Sequence, residues 1–218
     1  MSTTTTPQLR LNLGSGPVAV PGWVNIDRSP NVWLDRIPGA KRLLRRAGVL
    51  NDGHMRSWSR EIQRHDIRRL PNTTGSVDAI YSSHALEHLY LEEAQSVLTE
   101  CSRVLRPGGI IRLALPDATR IAREFVATSD TAEGGREFNA RLLAQPTKRP
   151  GLLGSLKAAT GGHVHYWQPT APLVEDMLTR AGFEQVSRMK YREGNLPGVS
   201  GIETRAESFF LEAICSGE

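Results

Sequence analysis

Four of the six histidines fall in two short stretches, His84-Ala85-Leu86-Glu87-His88 and Gly162-His163-Val164-His165-Tyr166-Trp167. An imidazole titrates near neutral pH, so it can take a proton from a hydroxyl or ligate a metal. In extended backbone, His163 and His165 would point to one face and Val164 to the other. Tyr166 and Trp167 add flat faces that can stack on a sugar or an aromatic ring. The stretch reads as an acceptor-side element with His163 or His165 as base; a packed aromatic corner with one structurally bonded histidine is the alternative. His84 to His88 matches H-x-x-E-H, which on a helix sets two imidazoles on one face, as in an inverted zinc protease. It follows a buried strand, however, and no obvious third ligand comes after it. The competing reading puts His84 at a helix start facing a ligand, with Glu87 and His88 fixing the turn.

A third group lies near the beginning, in Leu9 to Asp27, LRLNLGSGPVAVPGWVNID. An alternating run (Leu9, Leu11, Leu13) meets Gly14-Ser15-Gly16, and a second run (Trp23, Val24, Ile26) ends in Asp27. This is a strand stopping at a glycine turn, then a second strand closed by an acid. Glycines let backbone approach a ligand, and an acid at the neighbouring strand tip can hold a ribose diol. Gly14 to Ala19 also fits the dinucleotide fingerprint G-x-G-x-x-G/A. That fingerprint needs a helix after the glycines and an acid about 20 residues on. Pro21-Gly22 would break such a helix, and Asp27 comes too early, so a nicotinamide or flavin cofactor is disfavoured.

The elements that must position these groups alternate in type. Val77 to Tyr81 is a short apolar run suited to a central buried strand. Apolar residues recur at helical spacing from Ala85 to Leu105, and Arg106-Pro107-Gly108-Gly109 ends that helix. Ile110 to Leu115 is the next strand, and Asp117 opens a helix to about Thr128. A helix from Thr170 ends at Gly182, and Val186 to Tyr191 and Ser208 to Ile214 read as closing strands. The pattern predicts an α/β, Rossmann-like doubly wound sheet, mostly parallel with an antiparallel edge strand. Ligands bind such sheets beyond the carboxyl ends of the strands. Gly14, Asp27, Asp66, Ser82, Ser83 and Asp117 all fall there.

Length and composition fit one soluble domain over residues 9–218, preceded by a disordered tail at 1–8 and located in the cytoplasm. No apolar run is long enough for a membrane helix, and Cys101 and Cys215 are too few for a disulfide framework. Between Trp33 and Arg69 ten Lys/Arg face four acids, so this basic insertion, about 33–64, holds more than the whole net charge of +4. It reads as a solvated amphipathic segment whose buried stripe is Leu43, Leu44 and Ala47. Residues of about 130–167 are glycine- and proline-rich and read as an acceptor-side lid.

LNLGSG followed by an acid, HDIRRLP, VDAIYSSHALEHL and LRPGGIIRLALPD together resemble the class I S-adenosylmethionine-dependent methyltransferases, especially their type 11 group, over roughly Leu9 to Pro116. The resemblance implies S-adenosyl-L-methionine as cofactor. Gly14, Ser15 and Gly16 would lie against its methionine part, with Asn25 beside them and Asp27 on the ribose. Asp66 and the backbone of Ile67 would meet the adenine, and Ser83 and His84 would border the sulfonium end. Two features depart from the common pattern: the first helix is reduced to Pro17 to Gly22, and the second is replaced by the basic insertion. The uncovered face needs the insertion or a second copy, as a homodimer, to pack on it. The Asn/Asp-Pro-Pro-aromatic motif of amino-directed nucleic-acid methyltransferases is absent, so nucleic acid is not the expected partner. Relatives with the shortened loop ending in PGWVNID often accompany polysaccharide synthesis. The expected reaction is therefore O-methylation of a sugar or oligosaccharide, or alternatively of a phenolic metabolite. The catalytic candidates are His163, His165 and His84, and the substrate-binding candidates are Tyr166, Trp167 and Asp117. Some sugar O-methyltransferases use Mg2+ to lower a hydroxyl's pKa; Asp117 with His84 or His163 would hold it here.

Overall fold

The computed structural model describes residues 8–50, 52–128, 131–143 and 165–217. Six strands form one sheet: β1 (Arg10–Leu13), β2 (Val24–Ile26), β3 (Val77–Ser83), β4 (Leu105–Pro116), β5 (Phe183–Met189) and β6 (Ser208–Cys215), in the order β2-β1-β3-β4-β6-β5. β2, β1, β3 and β4 pair in parallel, whereas β6 runs antiparallel to both neighbours. The antiparallel edge is thus the β6–β5 pair, with β6 one place in from the end. The mostly parallel Rossmann-like sheet expected from the sequence is present.

Parallel order requires crossovers, and the sequence supplies them unevenly. Between β3 and β4 runs α3 (Leu91–Val104), whose Ala94, Val97, Leu98, Cys101 and Val104 are buried against Ile80, Ile111 and Leu113 of the sheet. After β4 comes α4 (Ala118–Thr128), then α5 (Ala132–Leu143), joined to α4 by stacked Phe125 and Phe138, 4.0 Å between centroids. A later helix, Ala171–Arg180, leads through left-handed Gly182 into β5. Among the described residues, the crossover between β2 and β3 holds two short α-helices, α1 (Asn31–Leu34) and α2 (Ala40–Arg46), and a 3-10 turn, Asp52–Met55. Beyond them a single parallel bridge, Ile26 to Gln63, stands where a further strand would pair with β2. Asp66 and Ile67 follow that bridge.

Three expectations are corrected. The helix expected from Ala85 starts only at Leu91, because His84 is left-handed (φ 49°), residues 86–88 make one 3-10 turn and Leu89 is extended. The two imidazoles of H-x-x-E-H therefore do not share an α-helical face. In the basic insertion the expected buried stripe is turned outward, with Leu43 69% exposed and Ala47 also exposed. Lys41 is buried there instead, its ammonium held 2.9 Å from Asp35. Finally, on the face left bare by the missing first helix the chain places a later segment rather than the basic insertion. Leu196, Val199 and Ile202, between β5 and β6, pack there on Ala79, Tyr81, Ile110 and Phe210, with Val20 and Trp23 of the shortened loop beside them.

A buried ion network anchors this covering segment. Arg112 of β4, wholly buried, donates to Glu203 at 2.6 Å, to Glu212 at 3.1 Å and to the carbonyls of Lys190 and Glu193. Glu212 in turn accepts the amides of Asn195 and Leu196. Every charge has a partner, as burial demands.

Candidate functional site

At the carboxyl end of β1 the chain turns through Gly14, Ser15 and Gly16. Gly14 and Gly16 are left-handed, at φ 69° and 65°. The Gly14 and Ser15 amides both donate to the Ile26 carbonyl, which ties the turn to β2. A β-carbon on Gly14 would lie 2.5 Å from that of Ala85, so the glycine turn sits directly on the residue after His84. A β-carbon on Gly16 would meet no atom within 4 Å. Open space at a left-handed glycine beyond a parallel strand end is what a closely approaching ligand needs.

Asp27 closes β2. Its Oδ2 accepts the Gly16 amide at 2.9 Å and its Oδ1 the Ser29 amide at 2.8 Å. Asn25 does not face this space: it is 2% exposed, and its amide makes four bonds within the fold, to Asn12, to Trp23 and twice to Val20. A fully used amide builds the Pro17–Trp23 loop and has nothing left for a ligand, which corrects its place among the cofactor contacts. Asp66 is gripped by Arg68, at 2.6 Å to Nη2, with Arg28 at 3.6 Å. The Arg68 hydrogen bond holds its carboxyl down to about 2. Ile67 is buried beside it. Glu93 ion-pairs with Arg68 from α3, fixing that arginine.

Ser83 and His84 lie at the end of β3, where sequence patterning placed them. The strained left-handed backbone of His84 directs its Nε2 to Ser208 Oγ at 2.8 Å, while its Nδ1 stands 3.4 Å from Glu87 Oε1. Glu87 has no exposed surface, and neither carboxyl oxygen has a hydrogen-bond partner. Burial raises this carboxyl to about 7. His165 approaches from the other side, its Nε2 3.9 Å from Glu87 Oε1 and its ring edge-on to His88 at 5.1 Å. Desolvation lowers His84 to about 3, helped by Arg205, and His165 to about 4, so both imidazoles are neutral at pH 7.

One backbone and one side-chain donor hold the two stretches together: Tyr166 N donates to the Glu87 carbonyl at 2.9 Å and Trp167 Nε1 to the Leu86 carbonyl at 3.2 Å. Trp167 is packed against the main core, so its ring is not a free stacking face, contrary to expectation. Tyr166 is exposed and lies against the exposed Tyr90, 4.5 Å between centroids. Asp117 caps α4 through Oδ1 to the Arg120 amide at 2.9 Å. His163 lies outside the described residues. Among the described residues, the His, Cys, Asp and Glu side chains close enough to share an ion are Glu87, His88 and His165, a set that includes neither Asp117 nor His84. Its two nitrogen donors suit zinc-class ions better than Mg2+. The sequence offers Glu87 as the acid of H-x-x-E-H or as a turn residue, and neither reading foresees its burial. Its signal was an acid on the apolar side of Leu86 and Leu89.

Residues 11–113 match the family model described as "Methyltransferase domain". Over 57 residues the chain is 39% identical to a probable S-adenosylmethionine-dependent methyltransferase of Mycolicibacterium smegmatis, a stretch covering 26% of this chain and 21% of that protein. A Pyrococcus horikoshii protein shares the fold with a TM-score of 0.50, at 15% identity, over 97% of this chain and 84% of its own. An S-adenosylmethionine-dependent methyltransferase from Mesorhizobium loti aligns with a TM-score of 0.49 at 17% identity, over 95% of this chain and 91% of its own. Residues 11–113 are thus similar to methyltransferase domains, and a 57-residue stretch to a probable S-adenosylmethionine-dependent methyltransferase.

Proposed function

We propose that the protein transfers a methyl group from S-adenosyl-L-methionine to a hydroxyl of a sugar or oligosaccharide. The observation that carries the methyl-transfer reading is the seat of Gly14 on Ala85, which joins the glycine turn to the His84 end of β3. Gly14, Ser15 and Gly16 would border the methionine part, Asp27 the ribose, Asp66 and Ile67 the adenine, and Ser83 and His84 the sulfonium end. When bound, the cofactor supplies an electrophilic methyl group. The chain's own task is then to align an acceptor and exclude water. An oxygen acceptor must also lose a proton. His84, which adjoins Ala85 and is fixed between Ser208 and Glu87, and His165 are the described candidates for that base.

The saccharide reading is supported by the exposed Tyr90–Tyr166 pair, whose faces suit a sugar ring. One observation favours a phenolic or other partly apolar acceptor instead. A cavity of about 580 Å³ lies along α4, lined by Ala118, Ala122, Val126 and Thr170 with Arg123 at its border. Labelled cofactor incubated with saccharide, phenol and RNA pools separates the readings: transfer to saccharides is expected, and transfer to phenols alone would replace it with the second. Absence of transfer to every pool would remove both.

A further inference from the structure

We propose that Glu87, His88 and His165 form a binding site for one divalent transition metal ion of the zinc class. Glu87 is an acid with no exposed surface and two oxygens without a hydrogen bond, and the buried His165 Nδ1 also has none. Buried polar atoms without partners are rare in folded proteins and call for an explanation. Here they converge. One ligand atom from each of Glu87, His88 and His165 lies within 4.8 Å of the others. Tetrahedral coordination at about 2.0 Å places ligand atoms roughly 3.3 Å apart, so each side chain would move by less than about 1 Å.

Two imidazoles and one carboxylate form a known donor set for zinc, with three protein ligands and an open fourth position. The geometry is prepared by hydrogen bonds to the backbone of the 86–88 turn. The hydrogen bonds from Tyr166 N to Glu87 O and from Trp167 Nε1 to Leu86 O hold the His165 segment against the 86–88 turn. An ion here would answer the orphaned carboxyl and join a segment far along the chain to the turn beneath His84. His84 Nδ1, 3.4 Å from Glu87 Oε1, lies at the edge of the site. The binding site stands on these contacts alone. Use of the open position by an acceptor hydroxyl, whose proton the ion would make easier to remove, rests on the methyl-transfer reading.

The test is calorimetric titration of zinc into tag-free, metal-stripped full-length protein and into Glu87→Gln and His165→Ala, with cobalt absorption as a second reading. Loss of outer-shell partners weakens metal sites by about 10–100-fold, so loss of a ligand should weaken this one by more than about 100-fold. One equivalent bound by the parent, a tetrahedral cobalt spectrum and that weakening in both variants are expected. No saturable binding by the parent, or equal binding in variants whose circular dichroism is unchanged, overturns the proposal. If Glu87→Gln does not fold, His165→Ala carries the comparison. S-adenosylhomocysteine binding, measured on the same samples, reports the cofactor site separately. Metal binding without any effect of metal removal on transfer would overturn the hydroxyl-activating role alone.

Discussion

The Asp27 carboxylate accepts the amide hydrogen of Gly16 at 2.9 Å, so the acid that closes β2 and the second glycine of the turn form one unit. The same carboxylate also accepts the Ser29 amide. Asp27→Ala leaves both amides without this acceptor and should cost about 2–3 kcal/mol, the scale for bonds to a charged group. Urea denaturation measures it, and Asp27→Asn, which keeps one oxygen acceptor, should lose less.

The two glycines of the turn should separate folding from binding. Gly14→Ala adds a β-carbon 2.5 Å from that of Ala85 in left-handed backbone, so both strain and overlap apply. Gly16→Ala carries only the backbone strain, about 1–2 kcal/mol, because nothing lies within 4 Å of the new atom. Thermal melting should therefore show Gly14→Ala as the more damaged, by at least about 1 kcal/mol beyond the strain they share. A Gly16→Ala variant that melts lower would contradict the packing described.

Arg112→Met should be among the most destabilising single changes in the chain. It removes the guanidinium from Glu203 and Glu212 and leaves two buried carboxylates uncompensated. Breaking one side of a buried ion network costs about 3–5 kcal/mol. Hydrogen exchange should then rise first in residues 190–203, which the network ties to the sheet.

Acid titration should reveal Asp66. Its folded carboxyl titrates near 2 against an ordinary 3.8, chiefly through its hydrogen bond from Arg68. Between those values the unfolded chain binds more protons than the folded one, so stability rises with pH in that window and falls on acidification. The contribution is present in full above about pH 4 and is lost as pH drops through about 2. Chemical denaturation of the parent and Asp66→Asn at several acidic pH values should show the stability difference shrinking across that range. A pH-independent difference would refute the pairing.

Much of this arrangement was written locally in the chain. The apolar runs at Leu9–Leu13, Val77–Tyr81 and Ile110–Leu115 became β1, β3 and the paired part of β4, because a strand buried on both faces has little choice of residue. Glycine, acid and histidine then fell at the strand ends by topology alone. What could not be read was contact over distance. Glu87 and His165 are 78 positions apart, and nothing in either stretch announces the other. Arg112, a charge in an apolar strand, gave no hint of acids at 203 and 212. The start of α3 was misjudged because helical spacing continues through Leu86 and Leu89, whereas the backbone of His84 must first turn back over the end of β3. Asn25 looked like a ligand contact because it adjoins the acid, yet its amide was needed to close a loop that lacks a helix.

The central claim is that the space beside Gly16 and Asp27 holds S-adenosylmethionine. Titration of S-adenosylhomocysteine into the parent protein and into Gly16→Val tests it most directly. The parent should bind one equivalent, and the valine side chain, filling the space open at Gly16, should weaken binding by more than about tenfold with circular dichroism unchanged, a loss of about 1.4 kcal/mol or more. No binding by the parent, or equal binding by both proteins, would contradict it.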